Sequence, residues 1–280
     1  MDERTRDRIG LEFLCEIGAS PVDFARLAAG VGCRNISILA SQLGHNPLNY
    51  PAWSLLDDRA LRRELRTVLA DRGVTVALGE GLVIQPGRDA ALLQPVIDLY
   101  AELGVGRLNG VSLDPDRTRS ADQFARLAER VRAAGLRLSL EYSGRSFGTL
   151  DQAAGFVRQL GDVTLLIDLL HVVRAGNGPA DLARVDPGLI GYVQLCDGAP
   201  GVAASYMEEA LNHRMVPGTG QFPIADFLRL VPDGVIVSAE VPQLALARQG
   251  VPAGERLAAI FAATGAALEQ LIPDRLAQGR

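Results

Sequence analysis

The chain has 280 residues, of which 48% are hydrophobic and 22% are charged, and its formal net charge at pH 7 is −5. This length can bury a full core, and the acidic balance argues against a nucleic-acid-binding protein, which usually carries a basic face. No apolar run approaches the ~18–20 residues of a membrane span, and the opening MDERTRDR lacks the apolar centre of a signal peptide. We therefore expect a soluble, cytoplasmic protein with neither nucleic acid nor a membrane as its partner.

The basic residues are unusual, because all 28 of them are arginine and the sequence contains no lysine. A Schiff-base mechanism needs an amine nucleophile, and a P-loop needs a lysine on its phosphates. Both enzyme classes are therefore excluded. Three scattered cysteines form neither a disulfide framework nor a CxxC metal site.

Short apolar segments alternate with longer amphipathic ones along the chain. A helix is predicted to begin after Ser20, whose hydroxyl can cap it, with Pro21 at its first position. A later helix is predicted to end at Gly73 in a left-handed cap. The predicted strands cover residues 9–16, 35–39, 75–78, 106–111, 137–141, 164–168, 189–195 and 234–240. The other predicted helices cover residues 55–72, 89–103, 121–134, 149–160, 224–230 and 252–270, and residues 179–185 form a broken segment.

Eight such strand–helix units follow one another with no change in composition between them. Parallel strands need crossover connections, so the alternation predicts a parallel sheet. The alternative is an open Rossmann-like sheet, but the turn IGAS after the first strand is not the GxGxxG fingerprint of that fold. We predict an α/β fold, a single (β/α)₈ TIM barrel that occupies residues 1–280 as one domain.

Each of the last four predicted strands carries a polar side chain near its carboxyl end. The carboxyl ends of barrel strands form the active-site mouth, where unpaired carboxylates repel one another. Oxygen ligands with two or three negative charges suit Mg²⁺ or Mn²⁺. We therefore predict one divalent metal ion, Mn²⁺ or Mg²⁺, bound by Glu141, Asp168, Gln194 and Glu240. Taken alone, each carboxylate could instead cap a helix, and Asp197 is a weaker candidate because Gly198 indicates a turn.

Five segments in chain order resemble the xylose isomerase-like, or sugar phosphate isomerase/epimerase, barrels, including the hydroxypyruvate isomerases and ketose 3-epimerases. They are LSLEYSG, IDLLHVVRAG, YVQLCDG, RMVPGTGQFPI and VSAEVP, and they cover roughly the C-terminal half. The resemblance implies that Glu141 and Glu240 both bind the metal and carry protons. It also implies that His171 faces the substrate and that Arg214 contacts substrate oxygens. Glu80, just beyond the third predicted strand, either lines the pocket or caps a helix.

The resemblance also implies the reaction class. Gln194 stands where ketose epimerases usually have histidine, and glutamine there is similar to hydroxypyruvate isomerases and to metal-dependent 3-dehydroshikimate dehydratases. The preferred hypothesis is a metal-dependent isomerase or epimerase of carbohydrate metabolism, which moves a proton on a small keto-sugar or keto-acid through an enediolate. The alternatives are a lyase that dehydrates a cyclic β-hydroxy-ketone and a binding or subunit protein without activity. A small molecule is the expected partner, and the sequence is compatible with a homo-oligomer.

Overall fold

A closed barrel of eight parallel strands forms the centre of the protein, and each strand is hydrogen-bonded to the next around the ring. The computed structural model describes residues 1–144, 146–201 and 205–271. The strands are β1 (Ile9–Leu11), β2 (Asn35–Ile38), β3 (Thr75–Ile84), β4 (Arg107–Ser112), β5 (Arg137–Glu141), β6 (Thr164–Asp168), β7 (Ile190–Leu195) and β8 (Val237–Ala239). The predicted (β/α)₈ barrel is confirmed.

Helices cover the outside of the barrel. They are α1 (Glu3–Arg8), α2 (Pro21–Gly30), α3 (Arg59–Arg72), α4 (Gln94–Leu103), α5 (Arg117–Ala133), α6 (Leu150–Leu160), α7 (Leu169–Arg174), α8 (Pro179–Leu182), α9 (Tyr206–Asn212), α10 (Ile224–Arg229), α11 (Leu244–Arg248) and α12 (Ala253–Glu269). In the three described ranges, no helix combines the length and the apolar character that crossing a membrane would require.

Local capping residues determine where several of these helices begin and end. The Ser20 hydroxyl accepts a hydrogen bond from the backbone of Asp23, and Pro21 begins α2, as predicted. Gly73 has a φ of +62° and ends α3 in the predicted left-handed cap. The prediction that α3 begins near residue 55 is wrong, because the Asp58 side chain caps the backbone amides of Ala60 and Leu61.

The first predicted strand is also wrong in its extent. The strand covers only Ile9–Leu11, and Phe13–Glu16 forms a 3₁₀ turn that begins after Glu12. The strand breaks there because the backbone amide of Cys15 donates to the Glu12 carbonyl, which closes a local turn. In addition, α1, α7, α9 and α11 are helices that the hydrophobic pattern did not indicate.

The inside of the barrel is layered because alternate residues of a strand face the same side. The layer further from the carboxyl-end mouth is apolar and contains Leu78, Leu166 and Tyr192. Two residues further along the same strands are Glu80, Asp168 and Gln194, all of which are buried. The same alternation that fills the lower barrel therefore places polar groups at the carboxyl-end mouth.

The third strand is longer than predicted and continues past Glu80 to Ile84. Its register with β4 shifts between Gly79 and Leu82, and Gly81 has a φ of +95°, which is readily available only to glycine. Glu80 therefore lies inside an irregular part of β3 and not beyond its end.

Candidate metal centre

The four side chains predicted as metal ligands all lie at the carboxyl ends of neighbouring strands. Glu141 ends β5 and Asp168 ends β6. Gln194 pairs in register with Asp168, and the backbone amide of Glu240 donates to the Leu195 carbonyl at 2.9 Å. The fold therefore brings all four to the same mouth of the barrel.

One compact group at this mouth contains Glu141, Asp168 and His171, whose candidate ligand atoms all lie within 4.8 Å of one another. Nε2 of His171 is 2.9 Å from Oε1 of Glu141 and 3.4 Å from Oδ2 of Asp168. The other oxygen of Asp168, Oδ1, accepts hydrogen bonds from the backbone amides of Leu170 and His171 at the start of α7. This group could hold a metal ion.

A buried arginine connects two of the predicted ligands. Nη1 of Arg214 donates to Oδ2 of Asp168 at 2.7 Å, and Nη2 lies 2.9 Å from Oε2 of Glu240. The Arg214 side chain is only 2% exposed, and its Nε donates to the Ala210 carbonyl. Its fixed fork of donors therefore holds two strand-end carboxylates that belong to non-adjacent strands.

The two carboxylates differ in their affinity for a proton. Burial alone would raise the pKa of Asp168, but the charge of Arg214 and its hydrogen bond to the carboxylate hold it at about 2. Burial raises the pKa of Glu240 well above its usual value, although Arg214 acts in the opposite direction. Asp168 is therefore a fixed anion, whereas Glu240 is suited to accept a proton.

Gln194 has one satisfied and one unsatisfied polar group. Its Nε2 donates to Oε1 of Glu80 at 3.1 Å. Its Oε1 is buried and finds no hydrogen-bond donor in the part of the chain that the structure describes. Because an unsatisfied buried carbonyl is costly, an oxygen in this position fits a bound cation. The donor set therefore fits a small divalent ion.

Asn109 of β4 contacts two carboxylates that lie on different strands and far apart in the sequence. Its Nδ2 lies 2.8 Å from Oε2 of Glu80 and 2.5 Å from Oε2 of Glu141. Burial and the charges of Glu12 and Glu141 raise the pKa of Glu80 well above its usual value. Sequence reasoning missed Asn109, although a polar residue inside the apolar strand LNGV is a readable signal.

Glu12 is a second residue that sequence reasoning missed. It is fully buried, accepts the Tyr192 hydroxyl at 2.8 Å, and burial raises its pKa. The prediction placed the end of this strand at residue 16, so Glu12 fell in the middle of the strand. It was therefore not recognised as a polar residue at a strand end. Its place at the end of β1 follows the same rule as the other strand-end carboxylates.

Asp197 organises a loop. Its carboxylate accepts four backbone amides, from Gly198, Gly218, Gly220 and Phe222, at 2.8–2.9 Å. This network fixes the segment that follows Arg214, so the interpretation of Asp197 as a turn residue is the one that its contacts favour.

An open cleft of about 490 Å³ is lined by residues that include Tyr142, Arg174, Asn177 and Tyr206, whose hydroxyl contacts His171, but by none of the four predicted ligands. Tyr142 directly follows Glu141 in sequence. This volume lies within the range of pockets that accept small molecules.

The three cysteines give a test of how tightly the structure is closed. All are buried, and burial raises the pKa of Cys33 and Cys196 to about 12 and that of Cys15 further. Because the thiolate is the reactive form, we expect native protein to resist a thiol reagent such as DTNB at neutral pH, while unfolded protein reacts at all three. Rapid reaction of one native thiol would contradict this and indicate that the structure opens locally around it. If the reactive thiol were Cys196, the opening would be next to Arg214.

Comparison with known proteins gives one curated relative. A 3-dehydroshikimate dehydratase of Pseudomonas aeruginosa is 29% identical over 187 residues, which cover 59% of this chain and 28% of that protein. The chain thus matches less than a third of the length of this relative.

Solved structures share the fold. The IolI protein, solved with a zinc atom, superposes with a TM-score of 0.75 at 18% identity over 94% of this chain and 98% of its own. An L-ribulose 3-epimerase gives a TM-score of 0.69 at 18% identity over 98% of both chains. A family model described as the xylose isomerase-like TIM barrel matches residues 25–257. The chain therefore belongs to the xylose isomerase-like TIM-barrel family.

Proposed function

We propose that this protein is a divalent-metal-dependent isomerase or epimerase that acts on a small keto-sugar or keto-acid. The observation that carries the proposal is the buried Oε1 of Gln194, which lacks a donor among the described residues while carboxylates converge beside it. The residues that would hold the ion are Glu141, Asp168, Gln194 and Glu240. A set of oxygen ligands favours Mn²⁺ or Mg²⁺ over softer metals. When bound, the ion polarises a substrate carbonyl.

Glu141 and Glu240 are the proposed proton carriers. Glu141 ends β5 and Glu240 follows β8, and because these strands lie three apart in the ring of eight, the two side chains approach the mouth from different directions. In the metal-free protein, burial raises the pKa of Glu240 and Arg214 opposes this effect. A bound cation would keep the carboxylate ionised, which is the form that accepts a proton from carbon. One glutamate removes the proton next to the carbonyl, and the other, in its protonated form, delivers a different proton to the adjacent carbon or the opposite face.

The other polar residues hold the substrate and the ligands. We assign substrate contacts to His171 and Arg214, which lie among the proposed ligands. Glu80 is buried and accepts a hydrogen bond from one of these ligands, Gln194. Because it accepts hydrogen bonds from both Asn109 and Gln194, it also keeps the Gln194 amide turned so that Oε1 faces away from it.

The origin of the hydrogen in the product tests the reaction. We expect turnover in D₂O to place deuterium on carbon in a product whose elemental formula equals that of the substrate, as mass spectrometry and proton NMR would show. Candidate keto-sugars and keto-acids would be screened with added Mn²⁺, and protein treated with a chelator serves as the control. Turnover without deuterium would refute the two-glutamate mechanism, because a hydride shift moves hydrogen internally.

A second candidate is a metal-dependent lyase that dehydrates a cyclic β-hydroxy-ketone. The specific observation in its favour is the 29% identity to a 3-dehydroshikimate dehydratase. Its first step would be the same proton removal, after which the substrate expels its β-hydroxyl group as water. A product lighter by one water, with a new conjugated absorbance, would assign the protein to this class.

A further inference from the structure

His171 is held between a phenol and two carboxylates. The Tyr206 hydroxyl lies 2.6 Å from Nδ1 of His171, and the two ring centroids are 5.6 Å apart. On the other side of the imidazole, Nε2 lies 2.9 Å from Glu141 and 3.4 Å from Asp168. Tyr206 is the first residue of α9, in the connection between β7 and β8, whereas His171 lies on α7 after β6.

These contacts determine which nitrogen of a neutral imidazole carries the hydrogen. Nε2 lies at ion-pair distance from two carboxylate oxygens, and a bare nitrogen there would bring its partial negative charge close to theirs, which is repulsive, so the hydrogen belongs on Nε2. Nδ1 is then an acceptor, and the Tyr206 hydroxyl can supply the donor. The partner of one ring nitrogen commonly sets the state of the other, so the tyrosine and the carboxylates select the same tautomer.

We propose that Tyr206 is a positioning residue that fixes His171 in the Nε2–H tautomer, so that Nε2 carries a hydrogen beside Glu141 and offers no lone pair to a metal ion. This leaves the metal with oxygen ligands and directs an N–H group at the mouth, where substrate oxygens would bind. Only the expected loss of turnover rests on the proposed function. The tautomer itself is measured on the protein without substrate.

Long-range ¹H–¹⁵N NMR of the imidazole rings tests the tautomer directly, since the chain has only three histidines. The spectrum would be recorded at about pH 8, where unperturbed histidines are neutral. A His171→Gln variant identifies the resonances of His171. We expect a protonated Nε2 and a bare Nδ1 with widely separated ¹⁵N shifts. An Nδ1–H tautomer or a doubly protonated ring would overturn the proposal.

The Tyr206→Phe variant tests the role of the hydroxyl. We expect the two ¹⁵N shifts of His171 to move towards each other as a second tautomer becomes populated, and turnover to fall about tenfold or more. Tyr50→Phe is the matched control, because it removes a hydroxyl that donates to Glu16. That control should leave the His171 resonances unchanged. A Tyr206→Phe spectrum identical to that of the wild type would overturn the proposal.

Titration with Zn²⁺ tests the second half of the proposal, because zinc is diamagnetic and readily binds imidazole. We expect the hydrogen on Nε2 to persist at saturation, and the affinity measured by calorimetry to be the same for wild type and Tyr206→Phe. Loss of that hydrogen, with a metal-induced shift of Nε2, would make His171 a ligand and overturn the proposal. Failure of the D₂O experiment would leave the tautomer result intact, so the two tests are separable.

Discussion

Replacing Arg214 with methionine is expected to lower the free energy of unfolding of the metal-free protein by about 3–5 kcal/mol. The guanidinium contacts Asp168 and Glu240, and all three side chains are at most 5% exposed. Without it, the Asp168 anion stays buried with its main positive partner removed. Urea denaturation of chelator-treated protein measures the loss.

Arg256→Met is the matched control for this effect. Arg256 is also buried, with its side chain 4% exposed, and it donates at 2.6 Å to Glu16, which is not one of the proposed ligands. Both variants should be destabilised, but added Mn²⁺ should restore more stability to Arg214→Met, because the cation binds the carboxylates that the arginine left. An Arg214→Met protein within about 1 kcal/mol of the wild type, or equal rescue of both variants, would contradict the assigned role.

Replacing Glu240 with glutamine is expected to lower turnover by roughly 10² or more even at saturating metal. The substitution keeps an oxygen that can accept from Arg214 but removes the group that takes up a proton. Asp168→Asn should instead weaken metal affinity and be partly rescued by excess Mn²⁺, because the low pKa of Asp168 makes it a ligand and not a proton carrier.

Steady-state kinetics over a range of Mn²⁺ concentrations separate these two roles. Calorimetry on the same proteins gives the metal affinity independently of turnover. If Glu240→Gln and Asp168→Asn lose the same fraction of turnover at saturating metal, the division between proton carrier and ligand is wrong.

The sequence predicted the barrel because its signals are local. Apolar segments of strand length alternate with amphipathic ones, and Ser20 and Gly73 mark helix ends by side-chain and backbone preferences that need no distant partner. A polar residue that closes an apolar strand is likewise visible in one segment, so Glu141 and Asp168 could be selected before their surroundings were known.

The contacts that organise the centre could not be predicted in the same way. Arg214 meets Asp168 across 46 positions of sequence, and Gln194 meets Glu80 across 114. Such pairs depend on strand register and on loop paths, which a hydrophobic pattern does not encode. Tyr206 was missed for a related reason, because α9 lies in the long connection before β8, where no periodic pattern indicated a helix.

The seam between β1 and β8 has a consequence for how the protein folds. Ile9 pairs with Val237, and the Cys15 thiol donates to the Ala239 carbonyl across 224 positions. Contacts between such distant segments form late, because closing a long loop costs entropy before any contact repays it. On the ribosome, β1 would therefore keep an unpaired edge until β8 has been synthesised. Ring closure is then the expected slow step, and the nascent chain is most prone to aggregation just before it.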